Sequence, residues 1–379
     1  MLVKAFFRWA ETARAGDRAK AANAFGRAYL TSAMTEDERQ AALMAMTYLL
    51  DDPSPLVRQG LAEALGHSAD APRSLILALA EDQPEIASRV ILFSPVLSEA
   101  DLVELCGRGG SYTRAFVAAR PHLAATVAAA LAEIGDGCDV LVLLDNATAQ
   151  LSAFSLIRIA ERFGDREAVR GALLARNDLP AQARNLLVRQ VAEAFSEAAL
   201  LRLSLGEVKS RALCRNVQAS AAAAIAGEVD PAEMPDLVED MRRAGQLTPA
   251  FLMQVLCQGH ADFFAVAIEM LSGLDERRVR SILAGGRLHA VKALVQAAGL
   301  DHTIAPLFAE AVLLWRETIR TSTEAQRAMI CEGLLKRGKA LTQGPEAAAL
   351  LTLVHQLWRE EERRMTRQQA RLFALEAAA

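Results

Sequence analysis

Asp51-Asp52-Pro53-Ser54-Pro55-Leu56-Val57-Arg58-Gln59-Gly60-Leu61-Ala62-Glu63-Ala64-Leu65-Gly66 has the grammar of one helical repeat. An acidic turn leads to a Pro at the first helical position, where the missing N–H costs nothing; an apolar pair, an Arg and a face of small residues follow, and Gly66 closes the segment. A weaker copy, Glu81-Asp82-Gln83-Pro84-Glu85-Ile86-Ala87-Ser88-Arg89-Val90-Ile91-Leu92, sets Pro84 29 positions after Pro55. A unit of this size cannot bury its apolar side alone, so copies stack and share a core. The repeat predicts an α-solenoid. Arg58, repeated approximately as Arg89, is expected to reach back to an acid of a neighbouring turn, so that Asp51, Asp52, Arg58 and Arg89 make a structural ladder. Loss of Arg58 should then cost about 1–3 kcal/mol.

The rest of the chain agrees with helices. Its 379 residues are 52% apolar but only 5% aromatic, and an Ala- and Leu-rich apolar set packs helices closely and suits sheets poorly. A formal charge of -4 gives no basic footprint for neutralising phosphates, which argues against nucleic acid as the partner. Cys106, Cys138, Cys214, Cys257 and Cys331 are widely separated and odd in number; they predict neither a disulfide framework nor a CxxC metal or redox site, and they fit a reducing cytoplasm. The apolar start is interrupted by Lys4, Arg8 and Glu11 before it reaches signal-peptide length. The longest uncharged windows, 121–132 and 245–261, are too short or too polar for a spanning helix of about 20 apolar residues.

Helix punctuation divides the chain further. Thr35 and Glu38 form a capping box ahead of a helix through Leu50, Ser54-Pro55 supplies an N-cap and first turn, Ser98 opens another helix, and Thr248-Pro249 and Asp275 open later ones. The run Val140–Leu144 is the best strand candidate, yet its recurrence in outline at Leu173–Leu179 favours helix. Residues 1–30 are read as N-terminal capping helices, 31–226 as the repeat array, Gly227 to Gly245 as the break, and 245–379 as a C-terminal helical region ending in one long helix after the loop Gly338 to Pro345.

Candidate chemistry is thin. Cys106-Gly107-Arg108-Gly109-Gly110-Ser111 has the glycines of a phosphate cradle but follows a helix and lacks P-loop spacing; it reads as a turn. Gly135-Asp136-Gly137-Cys138-Asp139 lacks the distal ligand of a calcium loop. His67, His122, His260, His289, His302 and His355 make no i, i+4 pair, no nucleophile elbow occurs, and Cys214 and Cys257 sit in apolar helical contexts as small hydrophobes. No catalytic, metal or cofactor residue is assigned.

The Asp52 to Arg58 turn, Leu97-Ser98-Glu99-Ala100-Asp101-Leu102-Val103-Glu104-Leu105, Ala119-Arg120, Leu144-Asp145-Asn146 and Ala298-Gly299-Leu300 resemble an uncharacterised bacterial family, mainly alphaproteobacterial, a domain of unknown function with HEAT-like helical repeats. The resemblance covers most of residues 30 to 300 and carries no activity, so no functional residue comes with it. The expected fold is all-α: a right-handed α-solenoid of HEAT-like repeats with a C-terminal helical part.

Charge points to a partner. Residues 1–30 hold six basic residues against two acids, interleaved with Phe6, Phe7, Trp9, Phe25 and Tyr29, whereas 31–110 hold five against thirteen. The basic start reads as a cap on the first repeat, ahead of a peripheral membrane contact or a docking helix. Glu36, Asp37, Glu63, Glu81, Asp82 and Glu85 are the candidate acidic face for a protein partner with a basic segment. The expectation is a non-catalytic scaffold or regulatory adaptor. The alternative is a small-molecule binder or enzyme with a site between the array and the C-terminal helices, near Gly285, Gly286, His289 and His302. Leu350, Leu351, Leu353, Val354, Leu357 and Trp358 give the last helix an apolar side for either a homodimer or a cap.

Overall fold

The computed structural model describes residues 2–318, 323–341 and 344–378, with side chains except those of 2–5, 201, 323–326, 368–369 and 371–378. The described residues form 23 α-helices and one 3-10 turn, with no strand among them, so the chain is all-α. Two residues of the predicted Gly338–Pro345 loop, 342 and 343, lie outside the described set. No helix of the described residues is long and apolar enough to cross a membrane. The chain divides into two compact units, Met1–Ala183 and Arg184–Ala379; the sequence-based break at Gly227–Gly245 falls inside the second.

The first unit contains α1 (Leu2–Thr12), α2 (Ala15–Thr31), α3 (Glu36–Leu50), α4 (Pro55–Leu65), α5 (Arg73–Ala80), α6 (Pro84–Ile91), α7 (Glu99–Arg108), α8 (Ser111–Ala118), α9 (Ala125–Ile134), α10 (Gly137–Asp145), α11 (Ala153–Phe163) and α12 (Glu167–Leu174). Each even helix from α2 to α12 packs on the next even one, while α3 packs on α5, and α9 on both α7 and α11. This alternation is two layers of helices with an aliphatic core between them, including the buried Leu61, Leu79, Val90, Val127, Leu131 and Leu143. The aliphatic run Val140–Leu144 is helix α10, since burial on a neighbour needs only one helical face there.

Caps follow the sequence closely. Thr35 and Ser98 form complete capping boxes. Ser54 stands at the N-cap of α4, but its side chain accepts nothing; Asp52 takes the Ser54 N–H instead, at 2.9 Å. Helices α2 and α4 approach closely enough to require glycine: a Cβ on Gly60 would lie 2.6 Å from the Ala19 carbonyl oxygen, and one on Gly26 2.6 Å from the Ala64 Cβ. At the start of the chain Phe6 meets Phe25 edge-on at 4.8 Å and Phe7 meets Tyr48 at 4.6 Å, so the aromatics of α1 lie on α2 and α3.

The second unit holds α13 (Ala181–Glu197, whose first turn belongs to the first unit), α14 (Ala199–Leu205), α15 (Glu207–Glu228), α16 (Met234–Arg243), α17 (Pro249–Cys257), α18 (Ala261–Ser272), α19 (Glu276–Gly285), α20 (Leu288–Ala297), α21 (Ala305–Thr318), α22 (Thr323–Gly338) and α23 (Pro345–Ala378). Its hub is α17, which touches α15, α18, α21, α22 and α23. Every residue of α17 from Phe251 to Cys257 is buried, as expected of a helix apolar on all sides. The apolar side of α23 is used within the unit: Leu350 and Val354 are buried, and the helix packs on α17 and α22.

Candidate functional site

The ladder residues are divided by the structure. Arg58 forks onto Asp82 (Nε to Oδ2 2.6 Å, Nη2 to Oδ1 3.0 Å) and donates Nη1 to the Asp52 backbone carbonyl. The Asp52 carboxylate is held by Arg18 at 2.6 and 2.9 Å, which pulls its pKa below the ordinary carboxylate value. Asp51 is an exposed C-cap, and Arg89 reaches only the exposed Glu63, at 3.4 Å. Besides Arg58 and Asp52, the ladder runs through residues the spacing did not single out. Arg18, Arg58, Arg114 and Arg170 are each the fourth residue of an even helix, and each donates Nη1 to a carbonyl five or six residues earlier. Arg18, Arg58 and Arg114 add a carboxylate of the following repeat, Asp52, Asp82 and Asp139. Arg73 forks onto Asp101 in the odd layer, and this pairing holds the Asp101 carboxyl down at about 2.

A second arginine set caps helices. Arg120 donates to the Ile91 and Ser94 carbonyls at the C-terminal end of α6, Arg162 to Ala132 and Gly135 at that of α9, and Arg316 to Ile282, Leu283 and Gly286 at that of α19. These carbonyls lie at the negative end of the helix dipole. Arg316 thus occupies the Gly285–Gly286 region, while His289 is exposed and His302 reaches only Asp301, at 3.3 Å.

The six acids do not line one groove. Asp82 is taken by Arg58 and Glu63 by Gln59 and Arg89. Glu36 and Asp37 begin α3, whereas Glu81, Asp82 and Glu85 lie at the α5–α6 turn, which Arg58 ties to the start of α4. Short turns make consecutive helices antiparallel, so these groups sit at opposite ends of the layers. The trough over α2 and α4, about 700 Å³ in volume, is lined by Lys20, Arg27, Asn23 and Gln59, with Glu63 as its acid.

Side chains of one chemistry converge instead in the second unit. A cavity of about 430 Å³ lies between α15, the α16–α17 turn, α17 and α23, and Asn216, Gln218, Gln246, Gln254 and Gln356 line it with Ser220, Thr248, Met241, Phe251, Leu353 and Leu357. Local sequence builds the turn. Gly245, at φ +66, reverses the chain after α16, and Gln246 N–H returns to the Met241 carbonyl at 2.8 Å, a Schellman closure. Thr248 then caps α17 through the Phe251 N–H at 3.2 Å. Gln246 is fixed from behind by the fully buried Asn185, 2.8 Å away. Gln254, the polar residue of the all-buried α17, is 4% exposed and donates to Ser220 Oγ at 3.4 Å.

A carboxamide offers a donor and an acceptor and does not titrate. Arg215 and Glu360, both exposed, are the ionisable residues of the lining. The wall is therefore rich in neutral hydrogen-bonding groups, with Glu360 as its carboxylate. The sequence signal for it was Gln254 inside the uncharged window 245–261.

The remaining candidates are structural. Cys106-Gly107-Arg108 belongs to α7 and Gly109-Gly110 is the turn into α8. Asp136 caps α10, and Asp139 is the fully buried partner of Arg114 and Ser111. Gly227, expected to open an interdomain break, lies in α15, where a Cβ would fall 2.2 Å from the His260 ring. Burial, with Arg327 nearby, pushes His260 down to about 4. The five cysteines are free; Cys138 is exposed and Cys214 half-buried, while Cys106, Cys257 and Cys331 are buried. Burial raises the Cys106 thiol to about 12. No group of three metal-ligating side chains occurs among the described residues.

A family model described as an uncharacterised protein conserved in bacteria (DUF2336) matches residues 86–344. No curated protein and no solved structure matches the chain.

Proposed function

The chain belongs to this uncharacterised bacterial family, and we propose that it is a non-catalytic, HEAT-like protein-interaction scaffold or adaptor, holding an extended segment of its partner in the carboxamide-lined cavity. The observation that carries the reading is the convergence of Asn216, Gln218, Gln246, Gln254 and Gln356 on one cavity. An extended peptide presents alternating N–H and C=O groups, and amide side chains answer both. Free thiols suit a cytoplasmic setting. A second reading, a small-molecule binder, is favoured by the cavity volume of about 430 Å³, inside the range of metabolite sites.

Selection of a random peptide library on the immobilised protein tests the proposal. Peptides should be recovered that bind the parent and lose about tenfold or more on Gln254→Leu. Peptides indifferent to Gln254→Leu and Gln356→Ala would refute it. Stabilisation by a metabolite set, with no peptide recovered, would move the assignment to the second reading.

A further inference from the structure

Helices α14 and α15 pack on each other and are joined by Gly206 alone, whose φ of +79 permits the reversal. Around this tip stand uncovered aliphatic side chains: Leu200, Leu203 and Val208 are 81%, 85% and 80% exposed, and Leu205, Leu213 and Val217 are exposed with them. An apolar set this bare is held in water at a cost and marks a surface that meets something else.

The charges beside it name the partner's sign. Between residues 198 and 217 the bases are Arg202, Lys209, Arg211 and Arg215 and the acid is Glu207, a local net of +3 in a chain of net -4. Glu207 is occupied by Arg211 at 2.6 Å, while Arg202 and Lys209 are exposed between the apolar residues.

We propose that the α14–α15 tip docks on an anionic lipid bilayer, with Leu200, Leu203 and Val208 entering the headgroup–acyl boundary and Arg202 and Lys209 resting on the lipid phosphates. Three observations select lipid over protein. Side chains four-fifths exposed stand clear of the surface, which suits entry into a fluid phase. The set is aliphatic, whereas the anchors of protein interfaces are enriched in Trp, Tyr and Arg and poor in Leu and Val. A second copy meeting the same patch about a two-fold axis would oppose the same net positive charge. Shallow apolar insertion combined with basic attraction is the general requirement for interfacial binding. The cavity of the second unit plays no part in this inference.

The test is flotation of the full chain with phosphatidylcholine vesicles, with and without about 30% phosphatidylglycerol, beside light scattering of the lipid-free protein. Expected is flotation with the anionic vesicles that weakens as salt rises to about 0.5 M. Leu200→Glu with Leu203→Glu should reduce it about tenfold or more. Arg202→Gln and Lys209→Gln should each reduce it about fivefold. All four positions are exposed, so circular dichroism should be unchanged. Absence of flotation, or flotation indifferent to the double Glu variant, would overturn the proposal. So would a dimer that the double variant dissociates without vesicle binding, which would assign the patch to a second copy of the chain.

Discussion

Buried polar residues in the first unit include three carboxylates, Asp52, Asp101 and Asp139; in the second the fully buried ones are neutral, Asn185, Ser210, Gln254 and Thr318. The first unit ties its turns together with charged forks, and its buried acids are spent internally. A forked carboxylate is demanding: it costs desolvation, it accepts an arginine in few geometries, and it is harmful when its partner is missing. Such contacts can fix the register of a stack whose helices are otherwise alike. Carboxamides cost less to bury and exchange partners readily, protein for ligand, which suits the carboxamide-lined cavity of the second unit.

The largest expected break is Asp139→Ala. It removes the buried carboxylate that takes Arg114 Nε and the Ser111 hydroxyl and should cost about 3–5 kcal/mol in urea unfolding, whereas Gln254→Leu, whose protein partner Ser220 is exposed, should stay within about 1.5 kcal/mol. Similar losses at the two sites would erase the distinction.

Acid should find the second unit first. His260 is held at about 4 against an ordinary 6.5, so between those values the unfolded chain binds a proton that the folded chain refuses. Stability therefore declines as pH falls from about 6.5 to 4, by on the order of 2 kcal/mol from this group. Asp101, at about 2 against 3.8, contributes stability above its ordinary value and loses it as pH falls from about 4 to 2. Urea midpoints measured across both windows should flatten in the upper one for His260→Gln and in the lower one for Asp101→Asn; exchange of those two effects would contradict the assignment.

The finest comparison is between Arg58 in α4 and Arg89 in α6. Arg58→Ala should cost about 1–3 kcal/mol, and Arg89→Ala, which loses only an exposed pair with Glu63, should fall within about 0.5 kcal/mol. Equal melting shifts would mean that burial of the fork does not matter.

Some of this could be read without coordinates. Thr35, Ser98, Thr248 and Asp275 announce their helices because a cap is a contact within about three residues. Arg58 was legible as a ladder residue, but its partner was not: Asp51, Asp52 and Asp82 are all acids of nearby turns, and only the stacking of α4 on α6 brings Asp82 to the guanidinium. The capping arginines Arg120, Arg162 and Arg316 escaped for the same reason, since their carbonyls lie about thirty residues back. The cavity escaped more completely, because carboxamides at 216, 246, 254 and 356 have no spacing that links them.

The sequence by itself determined helix and family, because periodicity, capping and small-residue packing are local or recur at a fixed interval. Tertiary structure alone decided which carboxylate each arginine takes, where the glutamines converge and which leucines stay uncovered. Those outcomes depend on distances between residues far apart in the chain, and no interval along the sequence encodes them.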